Sequence, residues 1–199
     1  MRRAYRYRLF VNANQERELG VMLESHRRLY NACLEQRKVA YENERRSVRY
    51  PEQWVWFKTE RVVNQYFDRL NAGSAQATMR RLEKAFARFF HRVEVKTAKP
   101  GYPRFKTKDH FNSIEFPSHG DGVRLIGNRL RIQYVGIVRV RLHRPVKGLI
   151  KTITLKRVSG KWYVIASCDL GDVQTKPSVL PAVGIDVGLE AFLTTSEGQ

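Results

Sequence analysis

The hydrophobic period of this chain changes twice, and the order of those changes restricts its topology more than any single motif does. Residues 4–11, Ala-Tyr-Arg-Tyr-Arg-Leu-Phe-Val, alternate aromatic and basic side chains. That is the spacing of a strand with one face packed and the other turned to solvent or phosphate. Apolar residues then recur at helical spacing from about residue 15 to residue 93, and after a breaker at residues 96–103 the period returns to two. A lone strand ahead of the helices and a sheet behind them predict an α+β fold. It is expected to be an antiparallel β-barrel interrupted by an inserted three-helix bundle, with the first strand completing the barrel from the far side of the insertion.

The punctuation supports three helices. Asn14 is the expected N-cap of the first, with Glu16 and Glu18 in its first turn and Leu19, Met22, Leu23, Tyr30, Cys33, Leu34 and Tyr41 on its apolar face, over about residues 15–44. Residues 45–50 interrupt the pattern, and Pro51 suits the first position of a second helix carrying Trp54, Phe57, Val62, Tyr66, Phe67 and Leu70. Residues 71–74 break that helix, and Ser74 is the expected cap of a third. There Ala75, Met79, Leu82, Phe86, Phe89, Phe90 and Val93 share one face, opposite Arg81, Lys84, Arg88 and Arg92. Strands are expected near 111–116, 123–126, 129–134, 137–142, 149–158 and 161–170, with turns at Gly127-Asn128 and Ser159-Gly160. Residues 177–181 read as a linker to a last hairpin, 182–195.

Charge narrows the function. The chain carries 37 Lys and Arg against 19 Asp and Glu, a net +18, which points to a polyanionic partner. The excess is uneven: residues 169–199 hold one basic and five acidic residues, so the whole excess lies in residues 1–168. No apolar stretch approaches the roughly 18 residues needed to span a bilayer, and no apolar run follows the basic amino terminus, so nucleic acid in the cytoplasm is expected rather than a membrane. Cys33 and Cys168 are far apart and form no Cys-x-x-Cys pair, which gives no ground for a disulfide framework or a zinc ribbon and predicts two buried thiols.

Residues 75–112 concentrate ten basic residues against three acids. Arg81, Lys84, Arg88, Arg92, Lys99, Arg104, Lys106 and Lys108, with Arg6 and Arg8 on the first strand, are the candidate phosphate contacts, which set affinity without reading sequence. Base reading needs other groups. Gln76, early in the third helix, suits a bidentate contact to an adenine edge, and Tyr50 suits stacking on a base or a thymine methyl contact. Gly101-Tyr102-Pro103-Arg104-Phe105-Lys106 places rings and cations between backbone-restricting residues, as expected of a rigid loop along a sugar-phosphate chain or of an ordinary crossover loop. The five histidines show no paired metal-ligand spacing, and no Gly-x-Ser-x-Gly or phosphate-loop motif is present.

One acidic residue stands apart. Asp186 closes an apolar run within Gly184-Ile185-Asp186-Val187-Gly188, a setting that also suits a simple turn former. Two-metal phosphodiester chemistry requires several converging carboxylates. Glu190 and Glu197 fall in the expected second strand and its turn, where nothing forces them back toward Asp186, so Asp186 is the sole catalytic and metal candidate and its site is incomplete.

Taken in order, Tyr7-Arg8-Leu9-Phe10 with Asn14-Gln15-Glu16, Tyr30-Asn31, the run from Gln76 through Leu82-Glu83-Lys84-Ala85-Phe86 to Phe89-Phe90, Gly101 to Lys106, and Gly184 to Gly188 resemble the amino-terminal part of the TnpB family, the OrfB-type proteins of bacterial insertion sequences. The resemblance implies an RNA-guided, magnesium-dependent DNA endonuclease of the transposase group. Its wedge barrel would comprise residues 1–13 and 96–180, its helical recognition bundle residues 14–95, and the start of an RNase H-like RuvC domain residues 181–199. It also implies guide RNA and double-stranded target DNA as partners, in a bacterial or archaeal cytoplasm. Tyr50 and Gln76 would read a short motif beside the target, and Asp186 would be the first magnesium ligand; the guide reads the rest. The later RuvC acids and the zinc ligands of the family have no counterpart after Asp186, so no cleavage and no zinc site are expected of this chain alone. A nuclease-dead DNA- or RNA-binding regulator and a guide-free helix-turn-helix protein are the competing readings.

Overall fold

The computed structural model describes residues 1–96, 99–171, 183–186 and 194–196. Strand β1 (Arg2–Phe10) is followed by α1 (Ala13–Glu44), α2 (Tyr50–Val63) and α3 (Ala72–Val95), and then by β2 (Ser113–Phe116), β3 (Val123–Ile126), β4 (Arg129–Ile132), β5 (Gly136–Arg141), β6 (Leu149–Val158) and β7 (Lys161–Asp169). Two short segments, β8 (Ile185–Asp186) and β9 (Thr194–Thr195), pair antiparallel with Asp186 opposite Thr194. The remainder of the expected last hairpin, including Val187, Gly188 and Glu190, lies outside the described residues, as do Glu197 and the expected linker.

The first strand lies in the middle of the sheet. Strands order β2-β6-β7-β1-β5-β4-β3, with Arg2 to Arg8 of β1 registered on β7 and Arg8 to Phe10 on β5. Tyr5, Tyr7 and Leu9 are buried while Arg6, Arg8 and Phe10 face out, as the alternation predicts. All seven strands belong to one sheet, so the 102 residues between Phe10 and Ser113 that hold the helices are an insertion into it only in sequence; β1 closes the gap between β7 and β5.

The expected barrel is a curled half-barrel: β2 and β3 are the edges of the sheet and do not pair with each other. Helices α1 and α3 meet the sheet along β2. Leu130, Val138, Ile153, Trp162 and Val164 of the sheet are 1% exposed or less. Residues of the helices and the sheet form a single core cluster. Cys33 and Cys168 are buried free thiols, as expected, and burial pushes the Cys33 thiol up to about 12.

Capping corrects three sequence expectations. Asn12, not Asn14, caps α1: its side chain accepts from the Gln15 amide at 2.9 Å while the Gln15 side chain accepts from the Asn12 amide at 3.1 Å, and this reciprocal box outcompetes a single cap one residue pair later. Asn71, not Ser74, caps α3 by accepting from the Ser74 amide at 3.0 Å. Helix α2 ends at Val63 rather than running to Leu70. The Asn64 side chain accepts from the Tyr66 amide at 3.0 Å, a local turn that displaces the next helical bond. Val62 accordingly lies 81% exposed and Phe67 and Leu70 reach the core from a turn.

Gly148 sets the start of β6. Its φ is +82°, and a Cβ there would sit 2.4 Å from the Asp169 carbonyl oxygen at the end of β7. Gly148→Ala is expected to lower stability by about 2–3 kcal/mol, read by urea titration, because left-handed strain adds to a clash with backbone that cannot retreat. An unchanged midpoint would refute this.

Candidate nucleic-acid interface

Helix α3 owes its placement to buried polar contacts as well as to its apolar face. The His26 ring on α1 is fully buried between two hydroxyls of α3, with Nδ1 2.8 Å from Thr78 Oγ1 and Nε2 3.3 Å from Ser74 Oγ. Both hydroxyls also donate to backbone carbonyls, Thr78 to Ser74 at 3.1 Å and Ser74 to Asn71 at 3.0 Å. About three turns further along α1, buried Arg37 donates through Nε and Nη2 to Gln53 of α2 and through Nη2 to Glu83 of α3. Gln53 in turn donates to the Cys33 carbonyl at 2.7 Å. One guanidinium thus ties the three helices together, a role that composition and periodicity did not reveal.

On this scaffold α3 presents a basic row. Arg80, Arg81, Lys84 and Arg88 line a cleft of about 500 Å³ whose other wall is Ser113, Glu115 and Pro117 of the β2 segment and Thr154 of β6. Arg81 is partly engaged, donating to Ser113 and lying 5.0 Å over the Phe111 ring. Among the described residues none of these four cations has a carboxylate within 4.0 Å, although eight other Arg and Lys side chains do. The two candidate base readers sit beside this row. Tyr50 opens α2, half-buried, with Arg80 5.4 Å over its ring, and half-buried Gln76 lies one turn before Arg80 on α3.

The other sequence candidates separate. Arg92 bends toward the loop, donating to the Gly101 carbonyl at 3.2 Å, and its buried Nε has no hydrogen-bond partner among the described residues. Lys99, Arg104 and Lys108 are exposed, and Lys106 holds its ammonium 6.0 Å over Tyr30. The loop itself is clamped. Asn31 accepts from the Lys106 amide at 2.8 Å and donates to its carbonyl at 3.0 Å, Arg27 donates to the same carbonyl at 2.8 Å, and Tyr102 packs edge-on against Phe86 and Phe89. Arg27 and Arg28 converge on Glu24, and those hydrogen bonds hold its carboxyl below the usual carboxylate range. Asn31→Asp, which replaces the donor with a carboxylate facing a carbonyl, is expected to release the loop at a cost of about 1–3 kcal/mol. Limited proteolysis should then nick the loop region faster; an unaltered digestion rate would count against the clamp.

Arg6 and Arg8 belong to a second basic surface, the convex face of the sheet. Arg6 lies 4.1 Å over Tyr163 and Arg8 5.4 Å over Phe10. Arg8 is registered opposite Arg141, Arg129 opposite Arg139, and Arg124 opposite Arg131, and all of them are exposed. Like charges placed directly across a ladder destabilise it, so this face stores a repulsion that a polyanion would relieve. Arg124, Arg129, Arg131, Arg139 and Arg141 were missed as site residues. Their period-two alternation with apolar residues was visible, but which strands lie side by side was not.

Asp186 is exposed on β8, away from both surfaces in chain order. Among the described residues no group of three or more His, Cys, Asp or Glu side chains is placed to hold a metal ion. Among them also, no helix is long and apolar enough to cross a membrane.

Residues 1–46, which fold as β1 and α1, match the family described as a helix-turn-helix domain, OrfB of the IS605 type. Over 206 aligned residues the chain is 28% identical to a protein of Streptomyces pristinaespiralis named "Putative RNA-guided DNA endonuclease", covering 100% of this chain and 49% of that protein. An Escherichia coli K12 protein of the same name with the suffix InsQ is 25% identical, over 98% of this chain and 47% of its own length. The chain spans about half the length of these curated relatives. A chain in the structure titled "Cryo-EM structure of the Cas12f1-sgRNA-target DNA complex" aligns with a TM-score of 0.49 and 14% identity, covering 98% of this chain and 54% of that one.

Proposed function

From the premise that this chain is a TnpB-type protein, we propose that its residues 1–171 form a nucleic-acid-binding unit that holds a structured guide RNA and engages double-stranded target DNA. The observation that carries this reading is the row Arg80, Lys84 and Arg88, exposed along α3 and without a carboxylate within 4.0 Å among the described residues. Unpaired cations in a row along one helix face cost self-repulsion unless a backbone of phosphates runs past them. The convex sheet face supports a second contact, where guanidinium groups interleave with Phe10 and Tyr163, an arrangement suited to stacked bases and phosphates together.

In this reading the curled sheet is the wedge and α1 to α3 the recognition bundle. Arg81, Arg92, Lys99, Arg104, Lys106 and Lys108 flank the path of the phosphates, and Tyr50 and Gln76 stand where a base edge beside the target would be read. Asp186 is the candidate first magnesium ligand in this reading. The test is binding of structured RNA, duplex DNA and a neutral polymer over a range of salt. Both nucleic acids should be retained with log K falling steeply against log salt, by about 0.7–0.9 per phosphate neutralised. Equal retention of the neutral polymer, or a flat salt dependence, would overturn it.

A further inference from the structure

Two aromatic side chains that helical periodicity assigns to the inside, Phe90 of α3 and Tyr41 of α1, stand 57% and 54% exposed. Both border a cleft of about 490 Å³ enclosed by the carboxyl end of α1, the 45–49 connection, α3 and Tyr102. Its walls are flat rings: Phe89 lies 5.2 Å from Phe90 and 5.3 Å from Tyr102, and Phe86 5.5 Å from Tyr102. Its floor is the Arg37–Glu83 pair. Glu83 uses Oε2 for that pair, and neither Glu83 Oε1 nor Arg37 Nη1 takes part in a hydrogen bond among the described residues, which leaves an acceptor and a donor on two residues that line the cleft.

The rim is cationic. Arg49 lines it exposed and, among the described residues, with no carboxylate within 4.0 Å, Arg45 lies 5.3 Å over the bordering Tyr41 ring, and Arg46 is held by Glu44 and Glu52. The cleft also adjoins the basic row. At about 100° per residue, Phe90, Ala87, Arg80 and Lys84 fall successively around α3 within roughly a third of a turn. An apolar protein segment would leave the rim guanidinium groups and the polar floor unanswered. A base answers all three features: faces for the rings, an edge for the donor–acceptor pair and a phosphate for the rim.

We propose that this cleft takes one unstacked nucleobase from a strand whose phosphates run along Arg80, Lys84 and Arg88. The proposal rests on the nucleic-acid reading above and adds a base-binding site to it. A Tyr41→Ala/Phe90→Ala double variant removes two exposed rings, so the fold is retained, and Ala87→Trp closes the mouth from an exposed position. Binding of a single-stranded RNA and of an abasic ribose-phosphate strand of equal length is compared at fixed salt. For both variants the base-bearing strand should weaken about tenfold, with the abasic strand and the salt slope unchanged. Equal losses on the two strands, or no loss on either, as when a protein segment rather than a base fills the cleft, would overturn the proposal alone. Failure of the unmodified chain to bind either strand would remove the nucleic-acid reading and this site with it.

Discussion

Replacing Lys84 and Arg88 together by glutamate is expected to weaken binding of both RNA and duplex DNA by about 100-fold at near-physiological salt, roughly tenfold for each reversed charge, and to flatten the salt slope by about 2. Both side chains are exposed, and among the described residues neither makes a hydrogen bond or an ion pair, so thermal stability should be unchanged or slightly raised by relief of repulsion. The convex sheet offers a sharper version of the same argument. Arg8→Glu would place opposite charges across the ladder at Arg141, which is expected to stabilise the sheet by about 0.5 kcal/mol while costing affinity. A gain in stability paired with a loss of binding is what a surface kept repulsive for a ligand predicts. Filter binding over a salt series, with melting curves on the same proteins, decides it. Affinity unmoved by Lys84→Glu/Arg88→Glu would dismiss the basic row as a solvated helix face.

The parts of this molecule that were legible in its sequence are those governed by local rules. The alternation in residues 4–11 marked both the strand and its buried face, and the strand limits near 123–126 and 149–158 coincide with β3 and β6, because a period of two and a glycine turn are written within a few residues. Helix ends were less legible. Asn12 and Asn14 are equally good caps by type, and only the reach of Gln15 back to the Asn12 amide separates them. The basic row on α3 followed from helical spacing. The partner wall of its cleft, Ser113 to Thr154, did not, since it depends on which edge of the sheet α3 covers. Phe90 and Val93 fit the apolar face of α3 by spacing yet stand exposed, because among the described residues no fourth helix covers the end of that face. The polar tie through Arg37, Gln53 and Glu83 was invisible for a related reason: each residue type is ordinary on a helix surface, and only the packing of three helices brings them together.

Lowering the pH from 7 to 4.5 is expected to destabilise the protein steeply, and His26 is the cause that can be isolated. Burial with no charged neighbour to compensate lowers its pKa from 6.5 to about 3, so between those values the unfolded chain takes up a proton that the folded chain refuses. Stability therefore rises with pH across this window and is lost as the pH falls below 6.5, by about 1.4 kcal/mol per unit for one such group, or on the order of 3 kcal/mol by pH 4.5. Glu24 adds to the loss only lower down, as pH falls through the carboxylate range, because its pKa is depressed by its hydrogen bonds to Arg27 and Arg28. His26→Asn offers an N–H donor to Thr78 and removes the titrating ring. It should lower stability at pH 7, through the space it leaves in the core, but flatten the slope between pH 6.5 and 4.5. Urea titrations of both proteins across that range measure the two slopes directly. Because Ser74 and Thr78 hold the first two turns of α3 through this ring, RNA affinity should fall together with stability in the unmodified protein and hold to lower pH in the variant; parallel slopes in the two proteins would assign the acid lability elsewhere.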